Sequence, residues 1–200
     1  MSVLVTKPAP DFIAKAVMPD NSIKGDFQLS KNLGPNGAVL FFYPLDFTFV
    51  CPTEIIAFDH RIEEFKSRGI NVIGVSVDSH WSHVAWRNTD VNAGGIGQIK
   101  YPLVADLSKS IARDYDVLIG NEIALRGSFL IDKKGIVQHQ VINNPGLGRN
   151  IDEMLRMVDA MQFNEAHGEV CPAGWQKGQK AMKGNPEGVA SYLKENAKAL

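Results

Sequence analysis

FFYPLDFTFVCPTE, residues 41–54, is the stretch from which the rest of the chain is ordered. Its front half continues an apolar and aromatic run, Ala38 to Tyr43, that predicts a buried strand. Pro44 ends that strand, because it has no N–H to give to a ladder. Beyond Cys51 the period changes. Ile55, Phe58, Ile62 and Phe65 recur three and four apart, between Asp59, Arg61, Glu63, Glu64 and Lys66, which predicts an amphipathic helix. Pro52 suits a helix start and Gly69 a C-terminal stop. Cys51 is therefore expected at or within the first turn of a helix, closing a strand–loop–helix unit.

That place has chemical consequences. The free N–H groups and positive dipole end of a helix favour a thiolate over a thiol. Thr48, three residues earlier, is placed to hydrogen-bond either the sulfur or the helix N-terminus. The plainer alternative makes Cys51 a small buried hydrophobe and Thr48 an N-cap. The spacing Pro44-x-x-x-Thr48-x-x-Cys51 favours the reactive reading.

Composition sets the frame. The chain has 200 residues, 44% hydrophobic and 22% charged, with a formal net charge of −1. Those values suit one soluble domain with an appendage, and nothing basic enough for nucleic acid or an anionic membrane. Ser2 to Pro10 lacks the cationic start and apolar core of a signal peptide, and no run approaches a membrane span, so the expected compartment is the cytosol. Cys51 and Cys171 form no Cys-x-x-Cys, and two sulfurs without grouped histidines complete no zinc site, so no metal is expected. Redox or nucleophilic chemistry remains, beside two inert thiols.

Along the chain, Ala9 to Val17 and the turn Pro19–Ser22 predict an N-terminal hairpin, and Gly34-Pro35-Asn36-Gly37 a turn before the central strand. Ile70 to Val77 is a second buried strand, parallel to the first through a right-handed crossover. Asp78-Ser79-His80 opens a helix with Trp81, Val84, Ala85 and Trp86 as its apolar side. Gly94-Gly95-Ile96-Gly97 breaks the pattern. Tyr101 to Val104 is expected as an edge segment, and Ser108 as the cap of a short helix through Tyr115. Gly127–Ile131 and Ile136–Ile142 flank a turn at 132–135, an evident β-hairpin. Asn150 and Glu153 suggest a capping box, with a helix running to about Gly168. The order β-α-β, α, β-β-α is an α/β arrangement of thioredoxin-like type. We expect a domain at 1–168 and a C-terminal arm at 169–200, rich in Gly, Pro, Lys and Ala.

With GEVCPAGW around Cys171 added, the motif FYPLDFTFVCPTE resembles the two cysteine motifs of the typical 2-Cys peroxiredoxins, the group that includes the alkyl hydroperoxide reductase C subunit. The resemblance covers most of the chain and implies a thioredoxin-like fold with peroxiredoxin insertions and a C-terminal arm. It implies a peroxidase in which the Cys51 thiolate attacks a hydroperoxide and Cys171, from the partner in a homodimer, resolves the sulfenic acid as a disulfide. Thr48, Arg126 and Pro44 would hold the substrate, and Glu54 would partner Arg126. By residue type alone, Arg126 would more readily be a surface ion pair. Arg149 matches a second family arginine. The resemblance further implies recycling by thioredoxin or a flavoprotein disulfide reductase, and a homodecamer in which Phe47 and Trp81 line the dimer–dimer contact. No cofactor is implied.

The remaining motifs are weaker. His80 and His83 lie three apart but lack acids in register, so a partly exposed helix edge is expected. Trp81 and Trp86 suggest packing. Gly94–Gly97 is no phosphate cradle; it is similar to the GGLG motif of peroxide-sensitive members, with Ile96 for Leu and Tyr192-Leu193 for a C-terminal Tyr-Phe. That likeness suggests inactivation by overoxidation. The rival from another class is a peroxide-switched holdase chaperone. A cysteine hydrolase would need a histidine base that no motif supplies.

Overall fold

The computed structural model describes residues 3–199. The chain divides into two compact units, residues 1–151 and 152–200. Among its described residues the first unit carries nine strands: β1 (Ile13–Val17), β2 (Ile23–Gln28), β3 (Gly37–Phe42), β4 (Ile70–Ser76), β5 (Leu103–Ala105), β6 (Leu118–Ile119), β7 (Ile123–Ala124), β8 (Arg126–Asp132) and β9 (Val137–Asn143). Its helices are α1 (Cys51–His60), α2 (Ile62–Ser67), α3 (His80–Arg87) and α4 (Ser110–Asp114). Helices α5 (Ile151–His167) and α6 (Pro186–Asn196) follow, α6 wholly in the second unit.

Seven strands form one sheet in the order β2-β1-β5-β4-β3-β8-β9, and β6 and β7 make a separate hairpin. β3 is parallel to β4, β4 is parallel to β5, and β8 runs antiparallel to both β3 and β9. This is the expected thioredoxin-like α/β arrangement, lengthened on the β4 side by β5 and the N-terminal hairpin. All of β3 is buried, as a continuous apolar run predicts for a strand covered on both faces. Its pleat sorts the side chains. Ala38, Leu40 and Phe42 join Ile73, Val75, Tyr115, Phe129 and Ile131 in one cluster. Phe41, pointing the other way, stacks on Phe58 of α1 with ring centroids 4.3 Å apart and meets Tyr101 edge-on at 5.8 Å.

Several expectations need correction. The helix after Cys51 is broken at Arg61, so α1 and α2 replace one continuous helix, with Gly69 in the left-handed region beyond α2. β5 is no edge: antiparallel pairing with β1 places it inside the sheet. On α3, Trp81 and Ala85 are exposed while His83, Trp86 and Arg87 are buried. The helix turns that way because polar partners wait inside for His83 and Arg87. Ser108 is not the N-cap of α4: Lys109 holds that position, and Ser108 Oγ accepts only a long bond, 3.4 Å, from the Ser110 N–H. Instead the Asp106 carboxylate accepts from the Ile111 and Ala112 N–H groups at 3.2 and 2.7 Å.

In the second unit, Met154, Leu155 and Val158 are buried along one side of α5. Asn185 caps α6, its side chain accepting from the Gly188 N–H at 2.8 Å.

Candidate active site

Strand β3 delivers the chain to the site. The Tyr43 N–H still donates to the Val75 carbonyl at 3.0 Å, after which buried Pro44 ends the pairing. The loop then turns at Phe47, whose φ of +53° is unusual for a residue with a side chain. α1 begins at Cys51, with Val50 as a cap that offers no side-chain bond and Pro52 inside the first turn, where its missing donor costs little.

The Cys51 side chain is fully buried. Thr48 Oγ1 lies 2.9 Å from its Sγ and 2.8 Å from the Leu45 carbonyl oxygen. A hydroxyl has one proton. Thr48 can therefore accept from a thiol while donating to Leu45, or donate to a thiolate and release Leu45. On another side, Arg126 Nη1 lies 3.4 Å from Sγ. Arg126 is the first residue of β8 and is 3% exposed, so it is no surface ion pair. Its Nε donates to the Pro145 carbonyl at 2.7 Å and its Nη1 to Glu54 Oε2 at 2.7 Å.

Glu54, one turn into α1, serves two cations. Arg149 Nε and Nη2 donate to its two oxygens at 2.8 Å each, a bidentate pair, and the Arg149 backbone N–H adds a third bond of 2.8 Å. Arg149 Nη1 fixes β8 through the Gly127 carbonyl at 2.7 Å and Ser128 Oγ at 2.9 Å. Burial pushes the Glu54 carboxyl up, but the bonds and charge of Arg149, with the charge of Arg126, outweigh it and hold the group below its ordinary value. The buried cluster thus has two guanidinium charges and one carboxylate, an excess of positive charge beside the sulfur. It can hold an anion at Sγ and polarise an oxygen placed against it.

Behind the loop lies a second polar group. His83, expected at an exposed helix edge, is fully buried: Nδ1 lies 2.8 Å from Asp46 Oδ2 and Nε2 lies 3.3 Å from the Val104 carbonyl. Asp46 also accepts from the Tyr43 hydroxyl at 2.9 Å, and its N–H donates to Asp78 Oδ2, also at 2.9 Å. Sequence spacing does not single out Asp46, because two of its partners, Asp78 and His83, lie 32 and 37 residues further along the chain. Among the described residues, no three His, Cys, Asp or Glu side chains gather as a metal site.

Cys171 lies in the second unit, partly exposed, 3.7 Å from the Ala160 carbonyl. A β-bridge between Val170 and Met182 fixes its backbone. Burial pushes its thiol up, against a smaller opposing pull from the Arg156 charge. The site therefore joins Thr48, Cys51, Glu54, Arg126 and Arg149, with Pro44 at the strand end.

The family model for the AhpC/TSA family matches residues 5–140, and the model for the C-terminal domain of 1-Cys peroxiredoxin matches residues 160–195. Alkyl hydroperoxide reductase C of Helicobacter pylori (strain ATCC 700392 / 26695) is 65% identical over 195 residues, covering 98% of each chain. The chloroplastic 2-Cys peroxiredoxin BAS1 of Hordeum vulgare is 52% identical over 95% of this chain and 90% of its own. The crystal structure of reduced Plasmodium vivax 2-Cys peroxiredoxin superposes with a TM-score of 0.94 at 50% identity, over 96% of this chain and all of that one.

Proposed function

Since the chain belongs to the AhpC/TSA family, we propose that it reduces hydrogen peroxide and organic hydroperoxides with Cys51 as the nucleophile. The observation that carries this is the buried Sγ at the head of α1, with Thr48 Oγ1 at 2.9 Å and Arg126 Nη1 at 3.4 Å. The Cys51 thiolate attacks the terminal peroxide oxygen in line. An S–O bond forms, the O–O bond breaks, and the leaving alkoxide or hydroxide takes a proton to become an alcohol or water. Thr48 and Arg126 hold the peroxide oxygens and the charge that develops on them. Glu54 and Arg149 keep the Arg126 fork in place, and Pro44 shields the sulfur from water.

Cys51 is then a sulfenic acid. Cys171, from the second chain of a homodimer, attacks its sulfur as a thiolate; hydroxide leaves and is protonated, and a disulfide remains. An external dithiol, either thioredoxin or a flavoprotein disulfide reductase, restores both thiols in the cytosol. We further propose that five dimers close into a ring. The relatives named above are peroxidases, and the holdase alternative draws no support from them.

Replacing Cys51 with Ser should abolish peroxide consumption. Cys171→Ser should consume about one equivalent and then stall, because turnover requires the second thiol. Steady turnover in Cys51→Ser sinks the reading.

A further inference from the structure

Two bonds outside the reacting cluster fasten α1 from the side. Tyr101, buried beyond the Gly94–Gly97 turn, donates its hydroxyl proton to the Ile55 carbonyl at 2.7 Å. Beside it, the Lys100 N–H donates to Asp59 Oδ1, also at 2.7 Å. These anchors begin one residue after Glu54 and fall on successive turns of the helix. The first turn is held differently, by Thr48, Arg126 and Arg149 through the side chains of Cys51 and Glu54.

The anchoring loop is itself held fast. Arg87, 1% exposed, donates to the carbonyls of Ile99 and Tyr101 at 2.9 and 3.4 Å. It also donates to the Pro19 carbonyl at 2.9 Å and to Asn21 Oδ1 at 2.7 Å, tying the loop to the β1–β2 turn. Burial, and then the charge of Asp59, pushes the Tyr101 phenol far above its ordinary value, so the hydroxyl remains a donor at every working pH.

We infer that Tyr101 is a positioning residue: its bond to Ile55 marks where unwinding of α1 stops when Cys51 leaves its pocket, and so sets the fate of the sulfenic acid. The inference rests on the reading of Cys51 as the peroxide-reactive thiol and Cys171 as the resolving one. Two fates compete. Cys171 displaces hydroxide to give the disulfide, or a second hydroperoxide transfers an oxygen to the sulfenic sulfur, giving sulfinic acid and an alcohol or water. An unwinding confined to Cys51–Glu54 re-closes readily and returns the sulfenic acid to Arg126, where the second peroxide reaches it. Fraying past Ile55 releases it to Cys171.

Tyr101→Phe removes the hydroxyl and leaves the ring. In the full chain, mixed once with excess hydroperoxide, mass spectrometry should find the disulfide-to-sulfinic ratio at Cys51 raised about twofold to tenfold, the range that one buried hydrogen bond commands. The stopped-flow rate of the first oxidation should equal that of the wild type. Asp59→Ala should move the ratio in the same direction, and Asp59→Asn, which keeps the Oδ1 acceptor, should restore it. A folded Tyr101→Phe protein with the wild-type ratio overturns the inference. Should Tyr101→Phe not fold, an Asp59→Ala ratio equal to that of Asp59→Asn overturns it instead. Wild-type protein that forms neither product on Cys51 overturns the peroxidase reading beneath it.

Discussion

At Cys51 the deciding feature is a charge count: two buried guanidiniums share one carboxylate. Glu54→Gln keeps the shape of that acceptor and removes its charge, leaving Arg126 and Arg149 buried without an anion. Breaking such a pair from one side should cost about 3 kcal/mol, lowering Tm by about 6–12 °C in a chain of this size. Calorimetry at neutral pH measures it. The pH dependence has a definite sign. The folded Glu54 group titrates below its ordinary 4.5, so its contribution is complete above that pH and is lost as pH falls through the folded value. The Glu54→Gln protein should therefore lose less stability than wild type on acidification below 4.5. Cys171 points the other way. Burial raises its thiol above the ordinary 9.0, and the attacking species is the thiolate. Disulfide formation after a single peroxide pulse should thus quicken with rising pH and still be quickening at 9.0. A rate that levels off near neutrality would contradict that assignment.

Among the elements, those read correctly from sequence were specified locally. β3 and the β8–β9 hairpin follow from apolar runs and a turn at 132–135, and the start of α1 from Pro52 and the change of period. Apart from the local break at Arg61, the main failures are non-local. β5 is interior because β1, some ninety residues upstream by register, pairs with it. Trp81 looked like the core side of α3, yet His83 and Arg87 face inward because Asp46, Pro19, Asn21 and Ile99 lie there to receive them. The site divides in the same way. Thr48 and Cys51 lie close in sequence and announced themselves, whereas Glu54, Arg126 and Arg149 come together only on folding, and only family likeness pointed to them. Asp106 is a nearer partner that ordinary cap spacing hid, since it reaches five and six residues along the chain. Because it satisfies two N–H groups at the start of α4, Asp106→Ala should cost about 1–2 kcal/mol, the value of a helix cap. Hydrogen exchange should rise at Ile111 and Ala112 specifically; unchanged protection there would deny Asp106 the capping role.

For the molecule as a whole, the proposed assembly follows from surfaces that one chain leaves open. β9 stands at the sheet edge, where outward ladder groups invite a second copy across a two-fold axis. A ring needs another contact, and the exposed aromatics supply a candidate. Phe47 is 53% and Trp81 65% exposed, more apolar surface than isolated side chains require at a solvated face. Phe47 also keeps its left-handed backbone, a cost of roughly 1–2 kcal/mol for such a residue, while its ring lies 5.6 Å from that of buried Trp86. If these two side chains close the ring, a carboxylate in their place must be desolvated without a partner. Light scattering on the reduced wild type should then give the mass of ten 22.0 kDa chains, and Trp81→Asp the mass of two. The first oxidation of Cys51 should survive in that variant, because the sulfur's neighbours are Thr48 and Arg126 rather than Trp81. Reduced wild type found only as dimers would remove the ring, and a ten-chain Trp81→Asp protein would remove Trp81 from its closure.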